Sequence, residues 1–289
     1  MFSNPLFFDY NSLGVRPAMC PECQKKYKEA DFGKIHDDLI SYLRNAGATI
    51  VPTESWTKKI AMGLCQTGKV MVVASGPIGA TVSDFVTTRG APAKAETSAT
   101  VRWDDAGLTV QFDCVDKTIV AKVNRPRDDG DMWKDDGVDV FVDVGHTHLY
   151  SSHWVHVQLT AAGGMLDESG PSHYLHGTSG VESGDVGYNA AGLKTKVERT
   201  ASGWRGEIFM PWSDLGARPA PGDVWGFNLN RTDWPEEEYL CWSPTKGPFI
   251  TLPEWGHIIF ANDAKHAEEG LKKMQATHSN VDLMLRVGR

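Results

Sequence analysis

From about residue 97 onward, the chain is a series of short segments in which apolar and polar residues alternate, separated by turns rich in Gly, Asp and Asn. In the segment VDVFVDV at residues 138–144, valine holds every second position, and Asp139, Phe141 and Asp143 lie between the valines. Because successive side chains of a strand point to opposite faces, we expect the valines in a core and the other three on a partly wet face. Regular strand spacing with no helix between strands predicts a mainly β fold, an antiparallel β-sandwich or barrel.

Other segments of this part of the chain have the same strand character. The sequence DDAG at 104–107 lies between two strands and is typical of a hairpin turn. Strands are predicted at residues 137–144, 153–160, 192–200, 204–210, 223–231 and 255–260. Four tryptophans on strand segments are predicted to be core residues, namely Trp103, Trp204, Trp225 and Trp242. The positions of Trp154 and Trp234 stay open.

The first 80 residues follow a different pattern, in which strand-like and helix-like segments take turns. Apolar residues spaced three and four positions apart within 31–47 predict an amphipathic helix. KVMVVASG at 69–76 predicts a buried strand, the third strand of this segment. This alternation is typical of parallel strand pairing in an α/β segment. The C-terminal tail is predicted to be a polar helix capped by Asn262 or Asp263. We therefore predict three parts, an α/β segment at 1–83, a β-sandwich at 84–262 and a helical tail at 263–289.

Charge and composition exclude some classes of partner. The chain has 37 acidic and 29 basic residues and a formal net charge of −8, so it offers no broad positive face to a nucleic acid. No apolar run approaches the length that crosses a membrane, and the first residues lack the pattern of a secretory signal. We expect neither a nucleic-acid nor a membrane partner. The five scattered cysteines do not suggest a disulfide scaffold, and the oligomeric state stays open.

Five segments carry a resemblance to a known family. In chain order they are MWKDDGVDVFVD, GWRGEIFMPWSDLG, GDVWGFNLNR, CWSP and LPEWGHIIF. Over roughly residues 84–261 they resemble family 9 carbohydrate-binding modules and their wider β-sandwich relatives. The resemblance implies a sandwich that binds a polysaccharide or oligosaccharide without chemistry of its own, as an accessory part of a glycoside-hydrolase-like protein. It also implies an extracellular or periplasmic location, although no signal peptide is recognised in the sequence.

The same resemblance implies four ligand-binding residues. In the sugar-binding members two aromatic rings clamp a terminal sugar, and the corresponding residues here are Trp133, before the strand at 138–144, and Phe249, before the final strand. The family's acidic strand residue corresponds to Asp139, and its arginine falls near His156. The chain departs from the family pattern because phenylalanine replaces tryptophan, histidine replaces arginine, and aspartate replaces glutamate. The alternative for Trp133 is packing in the core or at its rim.

The acidic loop RPRDDGDMWKDD offers a candidate calcium site. Its candidate ligands are Asp128, Asp129 and Asp131, whose carboxylate oxygens are of the kind that Ca²⁺ prefers. Some relatives bind structural calcium. The spacing is not that of a dedicated calcium loop, so a solvated acidic turn is the alternative. Apart from this ion, we expect no cofactor.

The first segment carries two further candidate sites. CPEC at 20–23 has the close spacing of zinc ligands, and His36 and Cys65 are the residues that would complete a set of four. The stretch LFFDYNSLGVRPAMCPECQKKY loosely resembles the C-terminal part of a glycoside-hydrolase-like (β/α)₈ barrel. That resemblance implies Asp9 and Glu54 at the carboxyl ends of consecutive strands, as an acid and a base or nucleophile for glycoside hydrolysis. Structural or solvated roles for both are the alternative.

Three functions from different classes follow from these features. The first is carbohydrate binding by the sandwich. The second is carboxylate catalysis by a fragment of a glycoside hydrolase. The third is redox chemistry, because relatives of the sandwich hold haem between a methionine and a histidine, but the ten histidines and nine methionines of this chain single out no pair.

Overall fold

The computed structural model describes residues 68–128, 130–148, 153–170, 184–185 and 187–274. The chain divides into two compact units, and all of the described residues belong to the unit formed by residues 67–274. Of the α/β segment predicted at 1–83, residues 1–67 lie outside the described residues. None of the described helices combines the length and the apolar character that crossing a bilayer requires.

The described residues form two β-sheets with few helices. The strands are β1 Val70–Ala74, β2 Ala80–Val82, β3 Val86–Thr87, β4 Thr97–Trp103, β5 Gly107–Val115, β6 Gly137–Asp143, β7 Trp154–Thr160, β8 Met165–Ser169, β9 Lys194–Arg199, β10 Gly203–Pro211, β11 Val224–Asp233, β12 Glu238–Cys241 and β13 Gly256–Ala261. The helices are α1 Trp212–Leu215 and α2 at 264–274, and single 3₁₀ turns are formed by Met132–Lys134 and Leu252–Glu254.

The two sheets have eight and five strands. The larger one runs β1-β13-β11-β6-β7-β8, with β12 and β3 continuing from β11, and the smaller one runs β2-β4-β5-β10-β9. Among the described strands, all pairs are antiparallel except β1 and β13. One apolar core takes side chains from both sheets, for example Val140 of β6 and Ile208 of β10. The prediction of a mainly β, antiparallel sandwich is therefore confirmed.

The core contains the four tryptophans that the strand pattern placed there. Trp103, Trp204, Trp225 and Trp242 are all at most 5% exposed, so this prediction is confirmed. Trp154, whose position the sequence left open, is fully buried in a second, smaller apolar cluster. Buried indoles add large apolar area and edge-to-face ring contacts, which is why they anchor both clusters.

The DDAG sequence forms the predicted hairpin between β4 and β5. The Asp104 carboxylate accepts hydrogen bonds from the backbone N–H groups of Ala106 and Gly107, at 2.8 and 3.2 Å. The chain must lie close to β10 here, because a Cβ atom at Gly107 would come within 2.3 Å of the Met210 carbonyl oxygen. Glycine is therefore required where the turn enters β5.

Strand β1 shows that the sandwich extends further toward the N-terminus than the sequence pattern indicated. We predicted KVMVVASG as a buried strand of the α/β segment, but β1 pairs in parallel with β13, with Val70 opposite His257 and Ala74 opposite Ala261. Val70 and Val72 are about 40% exposed, whereas Met71 and Val73 are buried. The strand therefore lies at a sheet edge and buries one face, which a run of apolar residues does not reveal.

The second face of β6 also differs from the expectation. Its valines lie in the core as predicted, but Asp139, Phe141 and Asp143 on the opposite face are at most 2% exposed. Strands β11 and β7 flank β6 in the sheet. On its outer face Phe141 packs against Trp255, and Asp143 bonds the backbone of His148. A central strand that is covered on both faces buries its polar residues too, and these need partners.

The tail helix begins as predicted. The Asp263 carboxylate accepts a hydrogen bond from the backbone N–H of His266 at 2.9 Å, which is the contact of an N-cap residue. The helix packs on the larger sheet, because a Cβ atom at Gly270 would lie 2.3 Å from a methyl carbon of Ile259.

Candidate functional site

A cleft of about 440 Å³ opens on the outer face of the eight-stranded sheet. This volume is in the range of small-molecule binding sites. Its floor comes from β6, β7 and β8, and its walls come from the 3₁₀ turn at 132–134 and the loop at 247–250. The residues that line it are Thr88, Trp133, Asp139, Phe141, His156, Gln158, Glu168, Thr232, Tyr239, Gly247, Pro248, Phe249 and Ile250.

The cleft brings together all four residues that the family resemblance singled out. Trp133, Asp139, His156 and Phe249 are far apart in the sequence, and each one lines the cleft. Strand pairing explains the position of the polar two, because His156 lies opposite Phe141 on the strand next to Asp139. That these four residues bind a ligand stays a prediction.

His156 lies on the cleft floor, between two carboxylates. Its Nε2 is 2.8 Å from Oδ1 of Asp139, and its Nδ1 is 2.7 Å from Oε1 of Glu168. The ring also stacks on Phe141, with 4.0 Å between the ring centroids and an angle of 7° between the planes. Three contacts therefore fix the orientation of the imidazole.

The charges of this group depend on each other. Burial opposes a positive charge on His156, but the hydrogen bonds to Asp139 and Glu168 outweigh it and raise the pKa of His156 to about 9. Burial raises the pKa of the Asp139 carboxyl, and the hydrogen bond from His156 offsets part of that rise. At neutral pH His156 is therefore a cation held between two acidic groups.

Two carboxylate oxygens buried in the floor lack a hydrogen-bond partner within the described part of the chain. They are Oδ2 of Asp139 and Oε2 of Glu168. A buried acceptor without a partner costs about 1–3 kcal/mol, so both favour a donor from outside the protein. Hydroxyl groups and water are donors of this kind.

His156 is expected to make the stability of the fold depend on pH. Its folded-state pKa of about 9 lies above the unfolded value of about 6.5, so its stabilisation is complete below pH 6.5 and is lost as pH rises to about 9. We expect the free energy of unfolding to fall by on the order of 1–3 kcal/mol across that window, measured by urea denaturation at constant ionic strength. His156→Gln, which cannot take a charge, should give a flatter profile. An equally steep fall in both proteins would contradict the assignment.

Trp133 lies on the rim of the cleft and not in the core. It is 49% exposed, and its neighbour Met132 in the same 3₁₀ turn is buried and anchors the turn. One edge of Trp133 packs against Trp234, with 5.5 Å between the ring centroids and 81° between the planes. The ammonium of Lys134 lies 5.2 Å from the ring centroid. These contacts hold the indole in place and leave about half of its surface open.

Two aspartates fasten the segment that carries Trp133. Asp135 pairs with Arg125, with 2.9 Å between Oδ1 and Nη2. Asp136 accepts a hydrogen bond from the backbone N–H of Trp234 at 2.7 Å and a second one from that of Val120. These contacts tie the Trp133 turn to two neighbouring loops.

Phe249 also lines the cleft and lies in the loop between β12 and β13. It is half-buried, and its ring packs edge-to-face against Tyr239 at 6.1 Å. Its carbonyl oxygen accepts a hydrogen bond from the indole N–H of Trp255 at 2.8 Å. The loop also packs on the small apolar cluster that contains Phe141 and Trp255. The position of Phe249 is therefore set by the same cluster that supports the floor.

The described residues of the candidate calcium loop have other partners. Asp131 forms an ion pair with Lys134 at 2.7 Å. The Asp128 carboxylate accepts a hydrogen bond from the backbone N–H of Asp167 at 3.1 Å. Asp129 lies outside the described residues. Calcium binding by this loop stays a prediction.

Sequence reasoning missed several residues of the cleft. Glu168 lies on β8, a strand that we did not predict, and it reaches His156 only because β7 and β8 form a hairpin. Gln158 was within reach of the sequence argument, since it lies two positions after His156 and on the same face of β7. Tyr239 and Trp234 support the two aromatic walls, and no local pattern marks either of them.

The candidate sites of the first segment cannot be placed. Asp9, Glu54 and the zinc candidates CPEC at 20–23, His36 and Cys65 all lie outside the described residues. The hydrolase and zinc hypotheses for that segment stay predictions.

Comparison with known proteins agrees with this architecture. The sequence model of a family described as "Carbohydrate family 9 binding domain-like" matches residues 76–247. A candidate carbohydrate-binding protein from Bacteroides uniformis ATCC 8492 is similar in structure, with a TM-score of 0.50 and 16% identity over 67% of this chain and 99% of that chain. This likeness shows a shared fold. No curated protein matches the chain.

A family 9 carbohydrate-binding module from Caldicellulosiruptor kristjanssonii is also similar. Its complex with cellotriose has a TM-score of 0.49 and 15% identity, over 69% of this chain and 97% of that chain. Its complex with glucose has a TM-score of 0.47 and 16% identity, over 68% of this chain and 97% of that chain.

Proposed function

Because the chain belongs to the carbohydrate family 9 binding domain-like family, we propose that it binds carbohydrate, and that the ligand occupies the cleft of Trp133 and Phe249. The observation that carries this proposal is the composition of the cleft. Aromatic rings stand on its walls, and acidic oxygens without partners lie on its floor within the described part of the chain. A sugar ring needs both kinds of group, since it has apolar C–H faces and hydroxyl groups around its edge.

Each group of the cleft has a separate task in this proposal. The open face of Trp133 packs against a sugar ring and supplies apolar contact at little cost in side-chain entropy. Asp139 and Glu168 accept hydrogen bonds from sugar hydroxyls. His156 is a positioning residue, because it holds both carboxylates in a fixed orientation and neutralises part of their charge. Bonds to charged acceptors are stronger than neutral ones, so the floor contributes to affinity as well as to orientation.

The volume of the cleft indicates the length of ligand. A site of about 440 Å³ is too small for a long stretch of polysaccharide chain and suits a short oligosaccharide or one end of a longer chain. We infer that affinity levels off after the first few sugar units. Calorimetric titration with oligosaccharides of increasing length tests this inference.

A panel of soluble β-1,4-linked gluco-, xylo- and manno-oligosaccharides, titrated calorimetrically into the full chain, tests the proposed function. We expect binding to at least one series, and we expect Phe249→Ala to weaken it about fivefold, or roughly 1 kcal/mol, because Trp133 remains. Ile78→Ala is the matched control, since Ile78 is 88% exposed and does not line the cleft. Absence of binding across the panel and to insoluble polysaccharide would contradict the proposal.

The wider setting of the chain also belongs to this proposal. We infer that the sandwich acts as an accessory to a glycoside-hydrolase-like partner or segment, where binding keeps the polysaccharide close to a catalytic site. Turnover of an aryl glycoside that is lost on changing Asp9 or Glu54 would instead favour the catalytic hypothesis. A Soret band in the purified protein would favour the haem hypothesis.

A further inference from the structure

Three histidines lie together on the larger sheet, outside the carbohydrate cleft. His146 and His148 are in the turn after β6, and His257 is on β13. One ring nitrogen of each histidine lies within 4.8 Å of those of the other two. We propose that these three imidazoles bind a divalent transition-metal ion of the zinc class. The proposal is independent of carbohydrate binding.

Of the two distances from Nδ1 of His257, the one to His148 matches that between two ligands of one ion, and the one to His146 is shorter. Nδ1 of His257 is 2.8 Å from Nε2 of His146 and 3.3 Å from Nε2 of His148. Two imidazole nitrogens that bind zinc at about 2.0–2.1 Å with tetrahedral angles lie about 3.3 Å apart. The rings meet edge to face, with 66–75° between their planes, so ring stacking does not account for the approach.

The hydrogen bond of His148 determines which of its ring nitrogens has a lone pair on the side of the cluster. Its Nδ1 is 3.0 Å from the carbonyl oxygen of Leu252, and a carbonyl can only accept, so Nδ1 carries the proton. In the neutral ring, Nε2 then has a lone pair that is directed at the other two histidines. Metal-binding histidines commonly donate their second ring N–H to a backbone carbonyl in this way.

A metal ion accounts for the convergence better than a shared proton. Two nitrogens approach the same atom, Nδ1 of His257, and one hydrogen cannot make a good bond with both. One ion contacts all three lone pairs at once. Imidazole sets of this kind suit zinc, copper and nickel, whereas calcium requires oxygen ligands.

The cluster is largely shielded from water, and its turn has an unusual backbone conformation. His146 and His257 are 7% and 2% exposed, and His148 is half-buried. His146 and His148 both have positive φ angles, 50° and 54°, which side-chain-bearing residues rarely adopt. Asp143 holds this turn, since its carboxylate accepts a hydrogen bond from the backbone N–H of His148 at 2.6 Å. A bound ion would offset the cost of the strained turn.

The site would connect three parts of the fold. The turn after β6 carries two ligands, β13 carries the third, and the His148–Leu252 hydrogen bond reaches the 3₁₀ turn that precedes β13. Leu252 belongs to the apolar cluster on which Phe249 packs. Metal binding is therefore expected to stabilise the fold and the wall of the cleft that holds Phe249.

Zinc titration of the chelator-treated full chain tests the proposal. The protein should carry Cys20→Ser and Cys23→Ser, so that the CPEC sequence cannot contribute a site. We expect one Zn²⁺ per chain by calorimetry, a higher Tm on adding Zn²⁺, and no Ca²⁺ binding at this cluster. Cobalt(II) should give the visible bands of a nitrogen-ligated ion without sulfur charge-transfer bands. His148→Gln and His257→Gln should each weaken zinc binding by more than roughly 100-fold, because loss of an outer-shell partner alone costs about 10–100-fold.

His266→Gln is the matched control, because His266 lies on α2 and is not part of the cluster. This variant should keep the zinc stoichiometry and the rise in Tm. Absence of zinc binding, or zinc binding that both cluster variants retain, would overturn the proposal. His146→Gln is the third test variant, and near-ultraviolet circular dichroism of each metal-free variant shows whether lost binding reflects a lost ligand or lost folding.

Discussion

Trp133→Ala is expected to weaken carbohydrate binding by more than about 100-fold while it leaves the free energy of unfolding nearly unchanged. The expected loss follows from the position of Trp133 as the most open aromatic surface of the cleft, at 49% exposure. A loss of this size equals about 2.7 kcal/mol, which is typical of a central aromatic contact in an interface. The fold tolerates the change because the turn is anchored by buried Met132 and by the Asp135–Arg125 pair.

Two variants show whether the flat ring itself is responsible. Trp133→Phe keeps a smaller aromatic face and should bind roughly 3–10-fold more weakly than the wild type, far better than the alanine variant. Trp234→Ala removes the ring that braces Trp133 and should cause an intermediate loss. Calorimetric titration with the best oligosaccharide of the panel measures all three. Equal affinity of wild type and Trp133→Ala would place the ligand elsewhere on the molecule.

The position of the cleft residues could be predicted to the extent that strand alternation determines it. Asp139 and Phe141 share a face because they are two residues apart, and His156 joins them because antiparallel pairing places it opposite Phe141. Alternation did not reveal that this face is covered, because the covering loops are far away in sequence. The wet face that we expected for β6 is therefore a buried polar layer, in which His156 bonds one oxygen of each of its two neighbouring carboxylates.

The histidine cluster shows a second limit of sequence reasoning. His146 and His148 have a spacing of two residues that is visible in the sequence GHTHLY, but two histidines alone do not make a site. The third ligand, His257, is more than 100 residues away. It meets the others because β11 lies between β6 and β13, with Gly226 opposite both Asp143 and His257. Only the order of strands in the sheet contains this information.

Strand β1 illustrates why the domain boundary was hard to place. Val70, Met71, Val72 and Val73 form an uninterrupted apolar run, which is typical of a strand buried on both faces in a parallel sheet. The run does pair in parallel, but with β13 at the edge of the sandwich. Periodicity indicates that a strand exists and does not identify its partner. The strand was therefore predicted correctly as an element and assigned to the wrong part of the chain.

Arg231→Met is expected to lower the free energy of unfolding by about 3–5 kcal/mol, the largest stability effect among the variants considered. Arg231 is completely buried on β11, and it crosses from the larger sheet to the smaller one. Its guanidinium donates hydrogen bonds to the Glu96 carbonyl, to the Thr97 hydroxyl and to the Val115 carbonyl, at 2.9–3.1 Å. It also pairs with the Asp233 carboxylate at 3.1 Å. Removing one partner of a buried ion pair leaves the other charge uncompensated.

A control substitution at a surface arginine and a series of pH values distinguish the effect of this buried network from that of an ordinary surface ion pair. Arg218 pairs with Asp105 on the surface, where Asp105 is 95% exposed, so Arg218→Met should cost less than about 1 kcal/mol.

Burial raises the pKa of Asp233, and the charge of Arg231 opposes that rise. Without Arg231 the buried carboxylate takes up a proton more readily, so the deficit of Arg231→Met should shrink as pH falls toward 5. Urea denaturation of the wild type and both variants, from neutral pH downward, measures this difference. A deficit that is equal at every pH would show that lost packing, and not an unpaired buried charge, explains the effect.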